Sequence, residues 1–384
     1  MRILAVGGGS GGHVTPVAAV VKELKATVPD AELRFWCDQA FATQATATMQ
    51  AVDPQMRIDV IMAGKLRRYH KLSLLRQLLQ VRTIVVPNLV DAVKITIGFL
   101  QSLIKLVIWR PDVVFTKGGF VCLPVGVAAS LLRIPLVIHD SDAHPGLTNR
   151  ILARFAHTIA TGAPLKYYRY PKGRSHYVGI PVAGAISPLS ASAQAAAKRQ
   201  LGFDEHEPLV VITGGGLGAA ALNEATMAAL KDMLTFTSVI LICGSAHEKA
   251  LRRRAPKKSN FKLYGYVAGD MLTMLGAADV VVSRAGATTL LELAALAKPA
   301  IIVPNAHLTG GHQTKNAAVY EQAGAVVVLD EEHLKVEPLA LVDAINATLL
   351  NKATLRALSK NILSLSKPDA ARDTARLIIN AIDR

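Results

Sequence analysis

The chain has 384 residues, 51% of them apolar, and 43 basic against 28 acidic side chains give a formal net charge of +15. That length supports two domains, each able to bury a core unaided, and excludes the small disulfide-stapled and metal-folded classes. Cys37, Cys122 and Cys243 form no CxxC pair and fit a reducing cytosol. Only four apolar residues follow Arg2 before the glycines begin, so no signal peptide is expected.

Ile3 to Val6 reads as a short buried strand, five of the six residues from Gly7 to Gly12 are glycine, and Pro16 to Leu24 reads as a helix. A strand, a glycine turn and a helix N-terminus together form an anion site, because unpaired backbone N–H groups point at the ligand. Gly7, Gly9 and Gly12 also meet the spacing of a dinucleotide fingerprint. A ligand-free tight turn is the competing reading. His13 follows the loop directly.

After the strand-like "AELRFWC", the region from Gly64 to Arg110 carries Lys65, Arg67, Arg68, Lys71, Arg76, Arg82, Lys94, Lys105 and Arg110 against one acid, Asp91. Stacking aromatics are scarce there and no nucleic-acid motif appears, so no nucleic-acid partner is expected. A membrane-spanning helix needs ~20 apolar residues, and Pro87, Asp91, Lys94 and Lys105 interrupt the run. Basic and amphipathic character together match docking on an anionic membrane surface, where each basic residue contributes on the order of 1 kcal/mol. Segment 65–110 is therefore expected to hold the protein at a membrane, chiefly through Leu66 to Arg82. Leu89 to Trp109, with Lys94, Gly98, Gln101 and Lys105 on one stripe, reads as an ordinary buried helix.

The strands "DVVFTKGG" and "LVIHDSD" follow, and periodicity breaks in "GAPLKYYRYPKGRSHYVGIPV", residues 162–182. The opening unit then recurs at "PLVVITGGGLGAAALNEATMAALKDM", with Gly214, Gly216 and Ala219 in dinucleotide-like spacing, followed by "SVILICG", "NFKLYGY", "DVVVSRAG" and "AIIVPN". This alternation predicts an α/β protein of two Rossmann-like domains facing a central cleft. The expected domains are 1–165 and 166–366, with the last helix, 367–384, packing back on the N-terminal domain. Ligands bind at the carboxyl ends of such strands. The candidates placed there are His13, Gly118–Phe120, His139–Asp142, Gly214–Gly218, Ser283–Gly286 and Asn305–Gln313.

In "SRAGATTLLELAALAKPAIIVP", Thr288 or Thr289 is placed to cap a helix and donate toward a phosphate, and Arg284 to pair with an oxyanion. Glu292 lies one to two turns into that helix. It can accept hydrogen bonds from both hydroxyls of a ribose, or stand as a solvated surface acid. His139, Asp140, Asp142 and His144 are close in sequence and are read as pocket residues, not metal ligands.

The motifs "GGGSGGHVTP", "TKGGFVCLPVGVAA", "VIHDSDAHPGLTNR", "TGGGLGAAALN", "ADVVVSRAGATTLLELAA" and "HQTKNA" together resemble the MurG family of peptidoglycan glycosyltransferases, almost end to end. The resemblance implies a GT-B fold and an inverting transfer of N-acetylglucosamine from UDP-GlcNAc to an undecaprenyl-diphosphate-linked muramyl-pentapeptide. UDP-GlcNAc would be the co-substrate, with no cofactor and no metal. On the donor side it implies Gly215, Gly216 and Gly218 along the diphosphate, Arg284 and Thr289 in the donor motif, and Glu292 on the ribose. Val267 would read the uracil edge through its backbone, and Gln313 would contact sugar hydroxyls. On the acceptor side it implies Gly11, Gly12 and His13 at the diphosphate, with Gly118, Gly119, Asp142 and Asn149 shaping the pocket. His13 is either the general base or a positioning residue. Such an enzyme would sit peripherally on the cytoplasmic face of the cell membrane.

The chain departs from the family pattern at Asp140, Ser141 and Asp142, where Glu-Gln-Asn is usual. It departs again at Gly216 and Leu217 for Ser-Gln, at Ala183 for a basic residue, and at Phe120 for tyrosine. These positions keep two alternatives open: a same-fold membrane glycosyltransferase with another lipid acceptor, and a non-catalytic UDP-sugar-binding or scaffold protein. An NAD-dependent dehydrogenase is a third, with Asp38 as its ribose acid.

Overall fold

The computed structural model describes residues 1–9, 11–65, 79–182, 186–216, 218–267, 269–306 and 311–382. Arg67, Arg68, Lys71 and Arg76 of the membrane segment, and the departures Ala183 and Leu217, lie outside the described residues.

The chain forms two units, Met1–Gly184 with Lys367–Arg384, and Ala185–Ser366. The first is built on β1 (Arg2–Val6), β2 (Glu32–Asp38), β3 (Arg57–Ile61), β4 (Val113–Thr116), β5 (Leu136–Asp140), β6 (Thr158–Thr161) and β7 (Ser175–Tyr177). All pair in parallel in the order β3-β2-β1-β4-β5-β6-β7. The second holds β8 (Leu209–Thr213), β9 (Ser238–Ile242), β10 (Phe261–Tyr264), β11 (Val280–Ser283), β12 (Ala300–Ile302) and β13 (Val327–Val328), again parallel, in the order β10-β9-β8-β11-β12-β13. Central strands such as β4, β5 and β8 are buried at every residue. Helices cover both faces of a parallel sheet, so these strands read as unbroken apolar runs. In each sheet the winding reverses at the first strand, between β1 and β4 and between β8 and β11. Both glycine loops thus leave their sheets at a topological switch point.

The domain boundary expected at 165/166 falls at 184/185 instead. Residues 166–182 complete the first sheet, because β7 pairs with β6 through Ile159↔Ser175 and Thr161↔Tyr177. A three-residue strand in a Tyr- and Pro-rich stretch carries no periodic signal. The last helix, Ala370–Asn380, packs on helix Gly11–Thr27, with Ala375 and Ile378 in one core cluster with Val17 and Val21.

Helix Val86–Trp109 corrects the expectation of a buried core helix. Val86, Val90, Val93, Ile97, Leu100, Ile104 and Val107 form a stripe at alternating spacings of four and three, each 38–61% exposed. The face turned to the protein instead carries Asp91, Gly98, Ser102, Leu106 and Trp109. A Cβ on Gly98 would overlap the Met62 carbonyl oxygen. Gln101 Oε1 accepts from the Met62 N–H at 3.0 Å, and Lys105 Nζ pairs with Asp59 at 2.6 Å. Most of the polar stripe is therefore glue to the β3 edge, and the apolar stripe faces outward.

Candidate active site

In the first unit, three loops leave the carboxyl ends of β1, β4 and β5. The β1 loop is held by Asp38, buried at the end of β2, which accepts from the Gly9 N–H at 2.6 Å and the Phe41 N–H at 3.2 Å. A Cβ on Gly8 would overlap that carboxylate. Asp38 is thus spent on the loop, which removes the ribose acid that the dehydrogenase reading required. The helix begins at Gly11, earlier than the sequence placed it, so Gly11, Gly12 and His13 form its first turn. The N–H groups of that turn lack partners within the helix.

His13 lies against the β4 loop, whose Gly118 and Gly119 have φ of +91° and +89°. A Cβ on Gly119 would sit 2.7 Å from Gly8 O and 3.3 Å from His13 Cδ2. The loop is glycine for its conformation and for the approach of the imidazole. Nδ1 of His13 is buried with no hydrogen-bond partner among the described residues. Burial, helped by the Lys117 charge, lowers its pKa to about 4, with Asp142 pulling upward. The ring is therefore neutral near pH 7. His13, Gly118, Gly119 and Asp142, expected from the sequence on the acceptor side, are brought together in this way. Asn149 sits beneath them, 3% exposed, donating to His139 O at 2.9 Å and filling the space beside Gly118. It acts by supporting the loop. His139 is likewise internal, its Nε2 2.7 Å from Gly179 O.

Sequence reasoning passed over Lys117. Its side chain is fully buried and reaches Ser141 Oγ. Burial pushes its pKa down to about 8, with Asp140 and Asp142 opposing. Asp140, buried and accepting from Tyr170 Oη at 2.8 Å, is pushed up to about 7 by burial. The visible signal was a lysine directly before paired glycines, just after β4, whose neighbour β5 ends at Asp140 with Asp142 two residues on.

In the second unit, the β8 loop runs through Gly214–Gly218. Gly215 and Gly218 have φ of +80° and +77°, and a Cβ on Gly218 would overlap Cys243 O. At Gly216 nothing among the described residues lies within 4 Å of an added Cβ, so no contact with them demands a glycine there. Three helices start at or near this edge, Ala220–Met233, Ala287–Ala295 and His312–Gln322, and none has a side-chain cap. Thr288 and Thr289 do not cap their helix, as the sequence suggested; Gly286 is its N-cap. The open N–H groups remain for an anion.

Arg284 is a second correction. Its NH1 donates to Val303 O at 3.0 Å and its NH2 is paired with Glu331, with both side chains 8% exposed. The guanidinium fastens β11 to β12 and to helix Glu331–Val336 rather than standing open to an oxyanion. Glu331, 47 positions away, gave no local signal.

Glu292 behaves oppositely. It is half-buried and has no hydrogen-bond partner among the described residues, and burial alone raises its pKa to about 7. A desolvated carboxylate without a donor is costly unless a ligand supplies one. Gln313 Oε1 accepts from the Asn305 N–H at 2.8 Å, which orients its Nε2 as a donor. Val267 follows β10 and packs partly against the core.

Residues 3–161 match the glycosyltransferase family 28 N-terminal domain and residues 209–374 its C-terminal domain. A UDP-N-acetylglucosamine--N-acetylmuramyl-(pentapeptide) pyrophosphoryl-undecaprenol N-acetylglucosamine transferase of Clostridium kluyveri is 30% identical, over 100% of this chain and 99% of its own. The enzyme of that name from an Exiguobacterium species is 31% identical over 100% of both chains. Among solved structures, MurG of Acinetobacter baumannii has 24% identity over 99% of each chain at a TM-score of 0.73. A UDP-GlcNAc 2-epimerase of Neisseria meningitidis, bound to UDP-GlcNAc, has 12% identity over 99% of this chain and 100% of its own, at 0.66. These two show a shared GT-B-type fold. With both sheets, both glycine loops and full-length kinship in hand, the chain belongs to the MurG family of glycosyltransferase family 28.

Proposed function

We propose that the chain transfers N-acetylglucosamine from UDP-GlcNAc to the muramyl sugar of an undecaprenyl-diphosphate-linked pentapeptide, converting lipid I to lipid II in peptidoglycan biosynthesis. Full-length kinship to transferases of that name carries this reading. The second unit would hold the donor, with Glu292 on the ribose hydroxyls, Gln313 on the sugar, the Val267 backbone on the uracil, Thr289 nearby, and Gly215, Gly216 and Gly218 along the diphosphate. With Arg284 engaged, the departing diphosphate would be met by the uncapped helix N-termini.

An acceptor hydroxyl oxygen would attack the anomeric carbon as its bond to the diphosphate oxygen breaks. The electron pair leaves with UDP, the hydroxyl proton passes to the neutral His13 ring, and the configuration inverts. An unperturbed imidazole is a better base than one held near 4. The acceptor diphosphate, bound beside His13 with Gly11, Gly12, Gly118, Gly119, Asp142 and Asn149 around it, supplies negative charge that raises the pKa toward working pH.

The same reading places the protein peripherally on the cytoplasmic membrane face. Residues 81–109 are long and apolar enough to cross a bilayer, with a mean hydropathy of 1.6. One face of helix Val86–Trp109 is nevertheless clamped to β3, so the outward stripe would lie in the interface. Segment 65–110 would supply the basic charge.

The deciding experiment is transfer from radiolabelled UDP-GlcNAc to lipid I and to a panel of other polyprenyl-diphosphate and glycerolipid acceptors. Product with lipid I alone is expected. Product only with a different lipid, or none with any, overturns the acceptor or the catalysis respectively.

A further inference from the structure

The stretch 162–182, which marked only a break in periodicity, lines a cavity of about 890 Å³ in the first unit. Arg150, Arg154, Arg169 and Arg174 line it together with His144 and Tyr170, and among the described residues no Asp or Glu does. None of the four arginines forms an ion pair among the described residues. Arg174 alone is anchored, its NH1 donating to Ala156 O at 2.5 Å. Arg150, Arg154 and Arg169 are solvent-exposed and Arg174 partly so, and four guanidinium groups lining one cavity give it a positive field that attracts an anion. The walls between them are aromatic and apolar, from Pro145, Ala153 and Pro171 and from Tyr170, which stacks on Tyr168 with ring centroids 5.5 Å apart. Tyr170 Oη also holds Asp140, so the cavity adjoins the His13–Lys117 cluster. A single phosphate would leave most of this volume unfilled, since cavities of this size suit ligands of many atoms.

We propose that this cavity is a subsite for a short acidic peptide, its carboxylates gripped by Arg150, Arg154 and Arg169. It rests on the lipid I reading for the peptide's source, the pentapeptide of the acceptor, and on the arginines alone for its preference for carboxylates.

The test is calorimetric titration of the intact protein with a free pentapeptide bearing three carboxylates and with its fully amidated counterpart. Wild type should bind the acidic peptide at least about tenfold tighter, and R150Q/R154Q/R169Q should abolish the difference. The charge-keeping R150K/R154K should retain most of it. Because these side chains are exposed or partner-free, the melting temperature and the KM for UDP-GlcNAc should not move. Equal binding of the two peptides, or displacement of the acidic peptide by millimolar inorganic phosphate or by phosphatidylglycerol vesicles, overturns the proposal. Peptide discrimination in a protein that transfers no sugar would leave the subsite standing and sink the catalytic reading instead.

Discussion

Glu292 and Arg284 illustrate how residues that look alike in a motif part company once their partners are known. Glu292 has no donor among the described residues, so Glu292→Ala is expected to raise the donor KM by about 10- to 100-fold, stranding the ribose hydroxyls at ~1–3 kcal/mol. Steady-state kinetics at saturating acceptor would show it, and an unchanged KM removes the ribose role. The same residue carries a pH signature. Its pKa is about 7 folded against 4.5 unfolded, so the folded state holds more protons between those values. Its stability contribution is complete below pH 4.5 and is lost as pH rises through 7. Urea denaturation of wild type minus Glu292→Gln should show that downward slope across the window. Arg284 predicts a different outcome. Removing its partner, Glu331→Ala, leaves a buried cation and is expected to cost ~3–5 kcal/mol, whereas Arg284→Met with Glu331→Leu should recover most of the loss. A Glu331→Ala protein as stable as wild type by urea titration would contradict the buried pair. His13→Ala should lower kcat with little change in donor KM; equal kcat would exclude it from proton transfer.

Among the elements, helix Val86–Trp109 departs from the usual pattern, turning Asp91, Gly98 and Ser102 inward beside Leu106 and Trp109 while a stripe of branched apolar residues faces outward. Periodicity finds the stripe but not the side that meets the core, because a helix face of Gly, Ser and Gln reads as solvent-facing until a neighbour is seen to bond with it. Replacing Val93, Ile97, Leu100 and Ile104 together by serine removes exposed contacts only. It is expected to leave the melting temperature within a few degrees while cutting partition onto anionic vesicles at least about tenfold. Cosedimentation measures this, and undiminished binding would assign docking to other residues. The loops were more legible. The glycines after β1, β4 and β8 were found in the sequence, and several exist because a Cβ would collide with backbone or demand a strained φ.

At the scale of the molecule, two parallel sheets with separate cores make up the chain, and its last eighteen residues return to the first unit. Ile378, wholly buried against helix Gly11–Thr27, ties that return, and Ile378→Ala is expected to cost ~2–5 kcal/mol. Scanning calorimetry should place the loss in the transition of the first unit.

Alternating apolar runs and glycine loops determined, from sequence alone, the α/β class, two similar halves and the places of most strands along the chain, because these are local patterns; the family came from the resemblance of six motifs taken together. Four strands, β3, β6, β7 and β13, escaped: RIDVI, TIAT and SHY mix polar residues into the run, and β13 has only two residues. The tertiary structure alone decided which charges are spent and which are open: Arg284 on Glu331, Asp38 on Gly9, Lys117 among the aspartates, Glu292 left waiting, and four arginines around one cavity. Charge pairing joins residues far apart along the chain, and its energy depends on burial and distance, neither of which a string of residue types contains.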